Sequence, residues 1–287
     1  MHFSRKPNKF GTLQRDLSPL KDAIDYQLTR FPSLYLFVEQ FREWVNWDKR
    51  IYLSFVRPGD TVLDVGANVG AHTVFLSHMV RDNGRVLAFE PLPANIDSLN
   101  ETIRRRARFA NISIFSVAAG NPESVRQSVT MKVPRHDLTQ ASLALQTAGS
   151  WRSETEISEV ACTITSLDSE KELQRLPRLD FLKLDVEGGE LDALRGAAQT
   201  IVRHHPLIYS EVYEKWAASF GYTPADLLGF VRSLGYAKAR VISNGKVHAL
   251  SLGENPPPAM FETSSDVLFF ADRHLPLVHA FDKRYLG

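Results

Sequence analysis

Two stretches and one isolated glutamate hold the residues best suited to chemistry. The first stretch is Asp64-Val65-Gly66-Ala67-Asn68-Val69-Gly70. Glycines at 66 and 70 let the backbone turn sharply and let a ligand lie against it. A helix beginning near Asn68 would aim its unpaired N–H groups and positive dipole end at that ligand. Asp64 adds a carboxylate able to accept from a cationic amine. The pattern D-x-G-x-x-x-G is not the dinucleotide fingerprint G-x-G-x-x-G, and its acid would repel a pyrophosphate. An amino-acid head group with a cationic centre suits it better, which favours S-adenosylmethionine over NAD. Glu90 follows Asp64 by 26 residues, one strand–helix–strand unit, where an acid for ribose hydroxyls is expected. Ala118 and Ala119 are small enough for an adenine ring to lie beside them.

The second stretch is Lys183-Leu184-Asp185-Val186-Glu187-Gly188-Gly189-Glu190, with three acids around a glycine pair. Desolvated in a cleft, Glu187 would have a raised pKa and could act as general base. Methyl transfer to an alcohol needs that assistance, because a sulfonium already supplies the leaving group. Asp185, Glu187 and Glu211 also suit a hard divalent cation. The nine histidines show no ligand spacing, and no metal set is assigned. Each acid has a plainer reading as a helix cap or solvated loop residue. His136-Asp137 lacks a G-x-S-x-G elbow to pair with, and no P-loop lysine motif is present, so hydrolase and kinase readings lose ground.

Elements must place these residues. Thr61–Val65, Arg85–Phe89 and Ile112–Val117 read as buried strands joined by helices over 68–82 and 93–106, hence parallel. Residues 121–165 change rhythm: two alternating segments, Val125–Met131 and Ile157–Ile164, predict an antiparallel excursion on the sheet edge. Strands Leu179–Leu184 and Leu207–Val212 follow, then a helix capped by Thr223 with Pro224 at its first position. Lys238–Ile242 and Asp266–Ala271 close the chain. The result is an α/β, doubly wound, mostly parallel seven-stranded sheet with an antiparallel edge hairpin. Ligands of such sheets sit beyond the carboxyl ends of the strands, where Asp64, Glu90, Asp185 and Glu187 fall. Residues 1–55 read as a helical extension carrying a basic tail over 1–18 and an aromatic stripe through Phe37, Phe41 and Trp44. The stripe covers either a pocket or a sheet edge.

Bulk properties agree with a folded, soluble chain. Of 287 residues, 44% are hydrophobic and 23% charged, and the net charge is +1. That balance gives no pull toward nucleic acid or membrane. One cysteine, Cys162, fits a reducing compartment, and no apolar run reaches the length of a membrane helix. A cytoplasmic location is expected. The aromatic arm leaves exchange between identical subunits open.

Taken together, Asp64-Val65-Gly66-Ala67-Asn68-Val69-Gly70, Phe89-Glu90-Pro91 and Lys183 to Glu190 resemble the FkbM-type S-adenosylmethionine-dependent methyltransferases, over about Gly59 to Glu214. The resemblance implies a class I methyltransferase (Rossmann-like) fold over 56–287 and methylation of a hydroxyl on a secondary-metabolite, sugar or glycan-type acceptor. By position, Asp64, Gly66, Asn68 and Gly70 would contact the methionine part of the cofactor and Glu90 the ribose; Ala118, from its small size alone, is placed beside the base. Asp185 and Glu187 would face the reacting centre. Gly189 departs from the alanine usual there and leaves the motif intact. The alternatives are a silent protein of the same fold acting as a binding partner, and an NAD-dependent enzyme on a nucleotide sugar, which the missing G-x-G-x-x-G disfavours.

Overall fold

The computed structural model describes residues 24–39, 41, 46–134, 140–146, 151, 156–254 and 256–286. The basic tail, Trp44 and His136-Asp137 lie outside them.

The chain builds β1 (Thr61–Val65), β2 (Arg85–Phe89), β3 (Ile112–Phe115), β4 (Ala118–Gly120), β5 (Gln127–Pro134), β6 (Ile157–Ser166), β7 (Phe181–Leu184), β8 (Leu207–Val212), β9 (Lys238–Ser243), β10 (Lys246–Ser251) and β11 (Ser265–Phe270). Eight of these form one sheet in the order β10-β9-β11-β8-β7-β1-β2-β3. Pairing is parallel from β3 through β8. β11 is antiparallel to both β8 and β9, and β10 is antiparallel to β9. The order reverses at β1, which continues to β2 on one side and meets β7 on the other. That is the switch point where a crevice opens beyond the strand ends.

Both faces of the central strands are buried, which explains their nearly unbroken apolar composition. Alternation splits them between two cores. Leu63, Val65, Leu87 and Phe89 pack with Leu194, Ile201, Leu227 and Val231, whereas Val62 and Val86 pack with Tyr52, Leu76, Met79, Val278 and Phe281. The first core lies under the helices Glu190–Gly196, Ala198–His204 and Pro224–Ser233, and the second under Trp47–Phe55, Ala71–Val80 and Leu275–Tyr285. The N-terminal helix Trp47–Phe55 is thus part of the sheet's covering layer, with the Tyr52 ring edge-on to Phe181 and Tyr209.

The sheet corrects the expected seven strands to eight. The extra strand is β10, joined to β9 by Asn244-Gly245, both at positive φ (51° and 73°). An Asn-Gly pair with both residues left-handed is the two-residue turn that matches strand twist. β11 inserts between β8 and β9, so the antiparallel edge pair is β9 and β10. The third strand stops at Phe115, two residues short of the expected Val117. The Val117 N–H folds back to the Phe115 carbonyl at 2.9 Å, and Ala118–Gly120 joins a second sheet in the order β4-β6-β5. The excursion over 121–165 is antiparallel as expected, but it builds this separate sheet rather than extending the main edge. The helix start expected at Thr223 holds: its side chain and that of Asp226 cap each other's backbone, with Pro224 next. Among the described residues no helix is long and apolar enough to cross a membrane.

The two sheets meet at one tight crossing. A Cβ at Gly196 would lie 1.9 Å from the Gly120 carbonyl oxygen, and Ser166 Oγ donates to the Gly196 carbonyl at 2.9 Å. The helical run breaks there, at Ala197. By contrast, nothing lies within 4 Å of a Cβ at Gly229, in the middle of an exposed helix face. Gly196→Ala is therefore expected to destabilise by about 2 kcal/mol or more. Gly229→Ala should stabilise by about 0.5–1 kcal/mol. Thermal unfolding of the two variants checks the opposite signs.

Candidate active site

The site grows from the end of β1. Gly66 and Ala67 both donate to the Phe89 carbonyl at 3.0 Å, so the turn is pinned to β2. Gly66 sits at φ +82°, and a Cβ there would lie 1.8 Å from the Asp185 carbonyl oxygen. Only glycine lets the ends of β1 and β7 approach this closely. Asn68 is also left-handed, at φ 50°. Its N–H donates to Glu90 Oε2 at 2.8 Å. Glu90 Oε1 accepts from the Leu92 N–H at 3.0 Å and Asn95 Nδ2 at 3.2 Å. Burial pushes the Glu90 pKa up against the pull of these donors. One carboxylate thus ties the turns after β1 and β2 together, and about one of its four lone-pair positions is left over.

Gly70 serves packing. It starts the helix Ala71–Val80 at φ +86°, and a Cβ would lie 2.4 Å from Leu99 Cδ1. Asp64 is fully buried. Its Oδ2 accepts from Thr73 Oγ1 at 2.6 Å, and Oδ1 lies 3.2 Å from Lys183 Nζ. Lys183, 4% exposed, also donates to the Gly66 carbonyl at 2.7 Å and stands 3.4 Å from Asp185 Oδ2. Burial works against its charge, but Asp64 and Asp185 outweigh that and hold the ammonium above its ordinary range. A cation in the apolar run Phe181-Leu182-Lys183-Leu184 must find anions. That was the signal for its role, because Asp64 and Lys183 are register partners across β1 and β7.

The turn after β7 is held from below. Glu190 Oε1 accepts from the Val186 and Gly188 N–H groups at 3.0 and 3.2 Å. Tyr222 donates to the Gly188 carbonyl at 2.9 Å and lies 3.2 Å from Glu190 Oε2. Burial raises the Glu190 pKa to about 7. Glu187 takes a left-handed φ of 56°, and its carbonyl accepts from Ser142 Oγ and Gln146 Nε2 at 2.8 and 2.9 Å. The segment between β5 and β6 thereby clamps this turn.

These turns enclose a cavity of about 360 Å³. Gly66, Asn68, Glu90, Ala118, Asp185 and Glu187 lie on its wall, together with Ala119, Met131, Leu143, Glu211 and Trp216. Of the eight residues expected at the site, Asp64 and Gly70 lie behind the wall. Met131 and Ala141 belong to a small apolar cluster against which Leu143 packs, so the second sheet supplies a nonpolar flank. Asn68 Oδ1 and the Trp216 indole N–H are buried with no partner among the described residues. Sequence reasoning had no signal for Trp216, which lies beyond β8 and comes to the wall only through the fold. Among the described residues no three His, Cys, Asp or Glu side chains converge as a cation site.

Lys183→Met strands the buried Asp64 charge and should cost about 3–5 kcal/mol. Adding Asp64→Asn should restore part of that loss, a coupling that denaturant unfolding of the single and double variants measures.

Residues 64–238 match the methyltransferase FkbM domain family. Methyltransferase 1 of Beauveria bassiana is 25% identical over 235 residues, covering 75% of this chain and 87% of the relative. The hexuronic acid methyltransferase AglP of Haloferax volcanii is 28% identical over 158 residues, covering 53% and 56%. The solved FkbM methyltransferase of Methylobacillus flagellatus aligns over 88% of this chain and 60% of that one, with 16% identity and a TM-score of 0.45. With well over half its length matched, the chain belongs to the FkbM methyltransferase family.

Proposed function

We propose that this chain binds S-adenosylmethionine in the 360 Å³ cavity and methylates a hydroxyl oxygen of a small-molecule or glycan acceptor. One observation carries the reading: a glycine turn and its bracing glutamate share a single cavity with the acids of the β7 turn. Bound there, the cofactor would supply a methyl group on a sulfonium, a leaving group that needs no acid.

The wall fits such a molecule by chemistry. Glu90 offers its remaining lone pair to ribose hydroxyls. Ala118, Ala119, Met131 and Leu143 form a flank for a flat base. The unpartnered Asn68 Oδ1 and the Gly66 backbone suit the amino-acid end. Asp64 acts from behind: it keeps Lys183 charged and placed, and Lys183 holds the Gly66 carbonyl. Asp185, held 3.4 Å from Lys183, and Glu187 form the wall away from the glycine turn. Acids there can accept a hydroxyl proton, and positioning supplies much of the rest.

The family and the methyltransferase names of the relatives support methyl transfer. The acid-rich wall supports oxygen as the acceptor atom.

Calorimetry with S-adenosylmethionine tests this directly. The intact chain should bind. Glu90→Ala, which also frees the Asn68 N–H, should weaken binding by about tenfold or more, since a charge-assisted contact is worth about 1.5–3 kcal/mol. Glu187→Ala should leave affinity within about threefold and slow turnover by about tenfold, as the loss of a positioning contact on the wall. No heat from the intact protein sinks the assignment.

A further inference from the structure

A second cavity, of about 230 Å³, lies beside the first. Asp48, His72, Tyr209 and Asp266 line it, and it shares only Asp185 and Glu211 with the first cavity. Asp48 comes from the helix Trp47–Phe55, His72 from Ala71–Val80, Tyr209 and Glu211 from β8, and Asp266 from β11. Tyr209 donates to Asp48 Oδ1 at 3.0 Å, and Ser264 donates to Glu211.

Antiparallel pairing sets Asp266 directly opposite Glu211, with Asp185 at the end of the neighbouring strand. Like charges opposite each other destabilise a sheet, and Lys183 is the sole cation on this cavity's wall among the described residues. Such an arrangement favours a shared proton. Burial first, then Asp185, raises the Glu211 pKa to about 8, with Glu190 and Asp266 adding to the rise. Asp266 is raised to about 7, by burial and then Asp48. A fold that holds costly acids in a cleft marks a functional site.

Resting on the cofactor reading, we propose that the second cavity receives the acceptor as a neutral, polyhydroxylated group, and that Glu211, at the junction of the two cavities, takes the reacting hydroxyl's proton. A group passing from one cavity to the other must cross between Asp185 and Glu211. The O–CH₃ bond forms as the S–CH₃ bond breaks, the S–C electron pair stays on sulfur, and the O–H proton ends on Glu211. Asp185, 3.4 Å from Lys183, adds to the rise in Glu211's proton affinity. Glu187 does not reach the second cavity. A base titrating close to neutrality is the effective one. The lining also selects the acceptor. Hydroxyls both donate and accept, which suits Tyr209, Ser264, His72 and partly protonated carboxyls together. An anionic acceptor meets four acid side chains and a single lysine.

The experiment uses the full chain. S-adenosylhomocysteine is titrated first. If it does not bind, the cofactor reading falls and this proposal with it; if it binds, the acceptor and carboxyl measurements decide the proposal alone. Methyl β-D-glucoside is then added to the saturated protein while the His72 ring resonances are followed, assigned with His72→Gln. A saturable shift is expected, and glucuronate should give none. No shift, or an equal shift with glucuronate, overturns the acceptor class. Infrared difference spectra of wild type against Glu211→Gln should show a protonated carboxyl titrating near pH 8. A Glu211 carboxyl that stays protonated at the pH where methyl transfer is fastest overturns its role as base. Methyl transfer to the glucoside should slow about 10²-fold in Glu211→Gln, with S-adenosylhomocysteine affinity within about threefold. Equal rates in the two proteins overturn it.

Discussion

The site depends on a buried ion pair. Asp64 and Lys183 face each other across β1 and β7, both nearly inaccessible to water. Each alone would be a severe cost in an apolar sheet. Together, with Thr73 donating to Asp64 Oδ2 and Lys183 donating to the Gly66 carbonyl, they offset each other's burial and fix a direction. The pair fastens the glycine turn to the strand that carries Asp185. It therefore fixes the separation between the cofactor side of the cavity and the acid side. Hydrophobic burial alone would not specify that separation, because apolar contacts are not directional.

Glu90 works in the same way at the other strand end. Its three hydrogen bonds brace two turns before it touches any ligand. Glu190 does so below the β7 turn. Glu90 and Glu190 thus brace the turns that carry left-handed backbone at Asn68 and Glu187. Such backbone is held only where the surroundings over-determine it. The acids left to face the open space are Asp185, Glu187 and Glu211.

The second sheet closes what the main sheet leaves open. β4 leaves the main sheet two residues after β3 ends, and brings Ala118 and Ala119 to the cavity wall. The segment after β5 reaches across to the Glu187 carbonyl through Ser142 and Gln146. The helix Trp47–Phe55 packs on the opposite face and adds Asp48 to the second cavity. Elements far apart in the chain therefore converge on a few strand ends. The switch point at β1 makes this possible, because neighbouring loops there run in opposite directions.

Much of this was legible in the residues. Buried parallel strands read as unbroken apolar runs, and a glycine turn followed by an amphipathic stretch reads as a strand-to-helix corner; both signals are local. So the α/β class, the acids at strand ends and the cap at Thr223 came from the chain itself. The eighth strand was missed, although the Asn244-Gly245 pair carried a local signal for its turn. Other features depend on register and on long-range packing, which no local pattern encodes. Asp64 turns to Lys183 because β7, more than a hundred residues later, becomes the neighbour of β1. Ala118 joins a second sheet because β6 offers it a partner. Glu211 meets Asp266 because β11 slips between β8 and β9. The sequence by itself determined which residue types reach the strand ends. The tertiary structure decided which of them brace the turns and which face the cavities, because a carboxylate's partners are set by proximity in space.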